Sequence, residues 1–253
     1  MAILIIEHDD LDSSERLGAT LGEHGHKLSV VRVHRGDVLP PDLDNVDGLI
    51  SMGGPQDTDQ ADEHDWMPRE IDMIREAHER SIPVLGVCLG AQLIAVALGG
   101  EVGRMDTPEL GMAKTTLSFF GSTDPILTGL PWNHTMMHAH GCEVTKAPPG
   151  GTPAPLASSA GSKVQAFRVG LTTYGFQYHF EWTKQRCLDI IDHNAKWVEA
   201  MDATADELKQ AVDDRYAMYR HLGDRLCKTI ADRLFPLDKR LPPTREEAAN
   251  FRR

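Results

Sequence analysis

The chain has 253 residues, 41% of them hydrophobic, with four cysteines and a formal net charge of −12. That length suits one large α/β domain with an extension, or one domain and a small subdomain. The negative charge argues against nucleic acid or an anionic membrane as partner. The cysteines are scattered with no C-x-x-C pair, which argues against a disulfide framework or a structural zinc site. The opening residues lack the basic segment and long apolar run of a signal peptide, and no stretch approaches the ~20 apolar residues of a membrane span. A cytoplasmic, soluble chain is the expectation.

In chain order, Ala2–Ile6 is a continuous apolar β-run, fit for a strand buried on both faces. Residues 13–23 read as a helix with Ser13 or Ser14 as N-cap and Gly25 as its stop. Leu28–Val33 and Val46–Ser51 are further strands, the latter running into Met52-Gly53-Gly54-Pro55. Between Asp37 and Asp65 nine carboxylates occur without a Lys or Arg, which reads as a solvated loop surface. Residues 66–80 are an amphipathic helix with Met67, Ile71, Ile74 and His78 on one side. Ile82–Val87 is the next strand, and Gln92–Leu98 continues as a helix stopped by Gly99-Gly100. This alternation predicts a mostly parallel sheet, flavodoxin-like, with helices on both faces. From Glu101 to Tyr178 short β-runs (111–119, 136–144, 163–169, 174–178) separated by Gly/Pro/Ser loops predict antiparallel additions to that sheet. Residues 183–200 and 205–234 are helical, and Pro236 with Pro242-Pro243 begins a polar tail.

The most informative segment is Leu85-Gly86-Val87-Cys88-Leu89-Gly90-Ala91-Gln92, where a strand turns into a helix with a cysteine between two glycines. Small residues two places before and after the cysteine permit a strained turn that pushes the side chain out, as in a nucleophile elbow. The helix start adds a positive field that favours the thiolate, the form that attacks. A lone cysteine is more often a small buried hydrophobe, but here the glycines and the strand–helix switch coincide. Cys88 therefore reads as a nucleophile.

A thiolate nucleophile needs a base, an orienting group for that base and donors for the oxyanion. His179 and Glu181, at the end of a strand, lie on one face of an extended segment because the side-chain period is two. A carboxylate beside the imidazole would fix its tautomer and stabilise the imidazolium. For the oxyanion, the candidates are the backbone N–H of Leu89 and one from Gly53-Gly54-Pro55, at the carboxyl end of a strand where α/β sheets bind ligands. His138 and His140 share a strand face that a metal could use. No carboxylate or thiol set with ligand spacing stands beside them except Cys142, so no metal site is expected. No phosphate loop of the form G-x-x-x-x-G-K-[ST] is present.

Ser51-Met52-Gly53-Gly54-Pro55, Gly86-Val87-Cys88-Leu89-Gly90-Ala91-Gln92 with Gly99-Gly100, Glu109-Leu110-Gly111 and Gln177-Tyr178-His179-Phe180-Glu181 together resemble class I glutamine amidotransferases. The likeness is to the triad type found as the glutaminase domain of GMP synthetase, in stand-alone form, and it covers most of residues 46–182. It implies that Cys88 attacks the γ-carboxamide of glutamine, His179 is the general acid/base and Glu181 orients it. It further implies that the Gly54 and Leu89 amides hold the oxyanion and that Gly53, Gln92 and Gly141 contact the substrate, with no cofactor. The family's Ser-His-Gly-Asp is Ala139-His140-Gly141-Cys142 here, which removes the aspartate side chain, and Phe180 stands where many members have proline.

The expected organisation is a catalytic domain over 1–200, a helical extension over 201–235 packed on it, and a polar tail over 236–253. The expected substrate is a small molecule, glutamine or another γ-glutamyl compound. Two alternatives share the fold: a γ-glutamyl amide or peptide hydrolase using the same residues, and a non-catalytic regulatory protein. The pyrophosphatase motif of a fused GMP synthetase is missing, so either ammonia passes to a separate synthase subunit or the chain hydrolyses or transfers a γ-glutamyl group by itself. The apolar stripe Leu188, Ile191, Leu208, Val212, Met218, Leu222 needs a partner surface, either the chain's own sheet or a second copy in a homodimer.

Overall fold

The computed structural model describes residues 2–237 and contains one nine-stranded sheet flanked by helices. In chain order the elements are β1 (Ala2–Glu7), α1 (Glu15–Glu23), β2 (Leu28–Arg32), β3 (Val46–Ser51), α2 (Trp66–Glu79), β4 (Val84–Val87), α3 (Leu89–Ala97), β5 (Glu101–Leu117), α4 (Phe119–Thr123), β6 (Asn133–Lys146), β7 (Ala157–Ser158), β8 (Ala166–Val169), β9 (Thr173–Phe176), α5 (Lys184–His193), α6 (Ala195–Ala200) and α7 (Ala205–Thr229). A five-residue π-helical turn, Ile230–Leu234, continues α7.

The strand order is β2-β1-β3-β4-β9-β8-β7-β5-β6. The first five are parallel neighbours, and the rest pair antiparallel. Period-two alternation separates the β1 side chains cleanly. Ile3 and Ile5 enter the core under α1, α5 and α7, while Leu4 and Ile6 enter the one under α2 and α3. Both faces are thus covered, as the unbroken apolar strands require.

Two elements differ from the sequence reading. The short runs 111–119 and 136–144 are parts of one long hairpin, β5–β6, whose pairing skips between Arg104 and Glu109. On α2 the buried positions are Met67, Glu70, Met73, Ile74 and Ala77, so the inward face is turned away from Ile71 and His78, which are only partly buried. A carboxylate in the core displaces the pattern because it has partners there, described below.

The C-terminal helix packs on the chain itself. Val212, Tyr219, Leu222, Leu226 and Cys227 join the core beneath the sheet, while Met218 is 59% exposed and does not belong to the buried stripe. Arg16 on α1 ties the helix down by bonding Arg220 O, Asp224 and the Phe180 carbonyl. Past the π-turn, the Phe235 ring occupies the space a side chain at Gly48 of β3 would need. A capping box, Thr204 with Glu207, starts α7. The proline pair and most of the expected tail, residues 238–253, lie outside the described residues.

Candidate active site

Parallel pairing brings four strand ends to one edge of the sheet. Ile6 of β1 sits beside Ser51 of β3, Ser51 beside Gly86 of β4, and Val87 beside Phe176 of β9. The residues just past these strands therefore meet there: His8, the Met52–Gly54 turn, Cys88, and the 177–182 segment. This is the carboxyl-end crevice where open α/β sheets place ligands.

Cys88 joins β4 to α3 with φ +52° and ψ −108°, a region costly for any residue with a side chain. The surroundings enforce it. Its N–H is held by Phe176 O at 2.8 Å, and Gly90 N–H donates to Met52 O at 3.1 Å. A Cβ on Gly90 would collide with the Ser51 carbonyl, and one on Gly86 with the Gly90 backbone, so neither glycine tolerates a side chain. The Cys88 sulfur is 3.6 Å from Ala139 O and accepts a long contact from Gln177 Nε2 at 3.8 Å.

His179 lies beyond the end of β9, bridged to β6 by a bond from its N–H to Met137 O of 2.8 Å. The extended segment expected there ends at Phe176, yet the pair it was meant to align is formed: His179 Nδ1 and Glu181 Oε1 are 2.7 Å apart. Glu181 Oε2 also accepts the Phe180 N–H at 2.8 Å, and both side chains are buried. Trp182 stacks under the imidazole, ring centres 3.5 Å apart and planes 15° from parallel. Burial alone would lower the imidazole pKa, but the Glu181 charge and the neighbouring Cys88 thiol overcome it and push it up to about 10.

In front of Cys88 opens a cavity of about 520 Å³. Cys88, Gly54, Leu89, Gln92 and Gly141 all line it, so five of the residues singled out in the sequence converge on one space. Gly53 does not reach its wall; a Cβ there would meet Asp12 Oδ1 and the His179 ring. Gln92 Nε2 donates to Cys142 O at 3.1 Å and Gln177 Oε1 at 3.3 Å. Cys142 points at Asp57, and burial with that carboxylate pushes its thiol up to about 12, the condition of an inert thiol.

Several residues of the site carry no signal in the sequence. Asp12 approaches His179 Nε2 to 3.9 Å, and burial pushes its carboxyl up to about 6. Trp197 of α6 covers Gly141 and lines the cavity, as do Arg104 and Asp57, which form an ion pair. They come from loops, a helix and strand β5, remote from one another in sequence, without a spacing that announces them.

Glu109, His138 and His140 form the one group among the described residues whose donor atoms converge as metal ligands would, within 4.8 Å of one another. Sequence spacing did not supply this carboxylate; the β5–β6 hairpin does. Much of the group is held by its own hydrogen bonds, and His138 Nδ1 lies 3.4 Å from Glu109 Oε2. Gln165 Nε2 donates to Glu109 Oε2 at 2.6 Å and sits 3.3 Å from His140 Nε2, while His140 Nδ1–H donates to Cys142 O at 3.0 Å. The histidines hold the Glu109 carboxyl well below the usual range against the effect of burial. With an amide already bonded inside it, the cluster fits a brace between β5, β6 and the 159–165 loop better than a metal centre.

An elbow cysteine, a histidine–carboxylate pair and a cavity meet at the carboxyl edge of this α/β sheet. The family model for glutamine amidotransferase class-I matches residues 10–188, and the chain belongs to that family. Over 236 residues it is 29% identical to the glutamine amidotransferase-like protein YfeJ of Salmonella typhimurium, covering 91% of this chain and 96% of that one. It is 28% identical to gamma-glutamyl peptidase 3 of Arabidopsis thaliana, covering 84% and 85% of the two chains. It is 33% identical to a glutamine-hydrolyzing GMP synthase subunit of Ignicoccus hospitalis, over 63% of this chain and 84% of that one. The crystal structure of a glutamine amidotransferase from Methylobacillus flagellatus superposes with a TM-score of 0.80 at 25% identity, covering 90% of this chain and 93% of that one.

Proposed function

We propose that the chain hydrolyses the γ-carboxamide of glutamine through a γ-glutamyl thioester on Cys88. The observation that carries this reading is the strained elbow at Cys88, aimed into a cavity, with His179 paired to Glu181 at its side. The Cys88 thiolate attacks the amide carbon. The negative charge that develops on the carbonyl oxygen is taken by the backbone N–H groups of Gly54 and Leu89; the first N–H groups of a helix such as α3 have no partner within it. The protonated His179 delivers its proton to the nitrogen as the C–N bond breaks, and ammonia leaves. His179 then removes a proton from water, which attacks the thioester, and the thiolate departs with glutamate released. Glu181 keeps the imidazole oriented throughout. Gln92, its amide nitrogen already engaged, meets the substrate head through its oxygen; Gly141 supplies backbone contact, and Gly53 gives the loop room to approach.

A second reading, hydrolysis of a larger γ-glutamyl amide or peptide, is favoured by two observations. The cavity of about 520 Å³ extends from Cys88 to Trp197 and Ala200 of α6, beyond what the side chain of glutamine would fill. The likeness to gamma-glutamyl peptidase 3 runs over more of this chain than that to the GMP synthase subunit. In the first reading ammonia is handed to a separate synthase subunit; in the second no acceptor is needed. The deciding experiment measures glutamate and amine release from glutamine and from a panel of γ-glutamyl amines and dipeptides. Release from every substrate at background rates would overturn both readings in favour of a non-catalytic protein.

A further inference from the structure

Beneath the Met52–Gly54 turn, on the side away from the cavity, lies a buried polar group that the mechanism above does not use. His8 follows β1, Glu70 projects from α2, and both are fully buried. His8 Nδ1 lies 3.1 Å from the carbonyl oxygens of both Met52 and Gly53. Its Nε2 is 2.8 Å from Glu70 Oε2, and Ser51 Oγ donates to Glu70 Oε1 at 2.6 Å. The Trp66 ring covers the imidazole, centre to centre 4.7 Å.

A carbonyl oxygen can only accept, so Nδ1 carries a hydrogen; facing a carboxylate, Nε2 carries the other. Burial works against a charged imidazole, but Glu70 and the two carbonyls outweigh it and His8 is raised above its ordinary pKa. This pair is also why α2 turns a carboxylate into the core.

We propose that His8, held by Glu70, is a positioning residue that aims the Gly54 N–H into the cavity by fixing the Gly53 carbonyl. The C=O of Gly53 and the N–H of Gly54 belong to one planar trans peptide and point in opposite directions. With the oxygen drawn down to His8, the hydrogen faces away from it. Gly54 lines the cavity and His8 does not. Two consecutive glycines leave this peptide free to turn over. The reversed peptide would present a carbonyl oxygen to the developing oxyanion and would leave the His8 Nδ1–H with Met52 O as its one remaining acceptor. The loop needs an anchor, and the buried ion pair supplies it.

The inference rests on the reading of Cys88 as an acyl-transfer nucleophile, and the experiment separates the two. Two double variants are compared, both with the charge of Glu70 removed: His8→Phe/Glu70→Gln, which has no donor under the loop, and His8→Asn/Glu70→Gln, whose amide nitrogen can take the place of Nδ1. The first is expected to lose on the order of 10²-fold in kcat with KM within about threefold of the parent, because the donor acts on the transition state. The second recovers most of that loss. Alkylation of Cys88 by iodoacetamide, which forms no oxyanion, proceeds at the parent rate in both and reports an intact site. If the parent releases nothing from γ-glutamyl amides, the proposed function has failed. The same comparison is then made on acylation of Cys88 by p-nitrophenyl acetate, which needs the oxyanion donors without a γ-glutamyl pocket. Equal turnover in the two double variants, or alkylation that falls in step with kcat, overturns the positioning role.

Discussion

At the scale of single residues, the proposed mechanism depends on groups whose chemistry cannot be exchanged at constant shape. Cys88→Ser is expected to abolish turnover while leaving the melting temperature within a few degrees of the parent. The hydroxyl fits the elbow but is a far weaker nucleophile for a site built around a thiol. A glutamine-analogue electrophile followed by peptide mapping should label Cys88 and not Cys142, whose thiol is raised to about 12. Gly54→Ala makes a second test. Its methyl would meet His8 Cβ at 2.7 Å and Leu89 Cδ2 at 3.0 Å, so the loop must shift and kcat should fall by at least tenfold, as for loss of an oxyanion donor. The pH profile tests the third residue. With His179 raised to about 10 chiefly by the Glu181 charge working against burial, the proton that the proposed mechanism gives to the leaving nitrogen would stay in place well above neutrality. Glu181→Gln removes that charge. The alkaline limb of kcat/KM should then move to lower pH, and an unmoved limb would show that Glu181 does not set the imidazole's charge.

At the scale of elements, the elbow is a contact between three strands and a helix rather than a local turn. Gly90 lets α3 start directly against Ser51 of β3, and the Cys88 N–H is capped by β9. A side chain at Gly90 would push α3 off the sheet; Gly90→Ala should destabilise the fold by several kcal/mol, of the order seen for overpacking and forced backbone shifts, measurable by urea unfolding. The strand before Cys88 and the glycines flanking it are legible in the sequence because they are contiguous. The turn of α2 is not. Apolar spacing points to Ile71 and His78 as inward, and the helix instead buries Glu70, because a charge partner 62 residues away outweighs the polarity that periodicity reads.

At the scale of the whole molecule, α7 completes the core under the sheet and holds the segment that carries His179. The contacts are specific: the Trp182 N–H donates to Tyr219 Oη at 3.1 Å, and Arg16 links Phe180 O to α7. Truncation before residue 205 should therefore abolish activity together with solubility. A soluble, active fragment would show that the helix is dispensable. Size measurement of the intact chain tests the expected homodimer separately, since the stripe on α7 is largely satisfied within the chain. Stability should also fall on the alkaline side. A histidine whose pKa is raised on folding contributes stability that is fully present below its unfolded value of 6.5 and is lost as pH rises through about 10. Thermal melts across that window should show a decline that His179→Gln reduces, the remainder belonging to His8, whose pKa is also raised on folding.

What the sequence determines by itself is contiguous: the strand–elbow–helix at Cys88, the glycine turn after β3, the spacing of His179 and Glu181, and the order of strands and helices that makes an α/β sheet. These are local because backbone conformation and side-chain period are set by near neighbours. Cysteine, histidine and glutamate are legible as candidates from the elbow and the two-residue spacing, and the family resemblance names their order along the chain. Their proximity was decided by the tertiary structure, when β9 paired in parallel with β4 and brought residue 177 beside the elbow. The same holds for Asp12 beside His179, for Trp197 over Gly141, for Gln165 inside the Glu109–His138–His140 cluster, and for His8 with Glu70 beneath the loop. Each is a pairing of polar groups from distant elements, formed because a buried polar atom must find a partner wherever the sheet happens to place one. Hydrophobic period cannot announce such pairs, since it records only which residues leave water and not which of them meet inside.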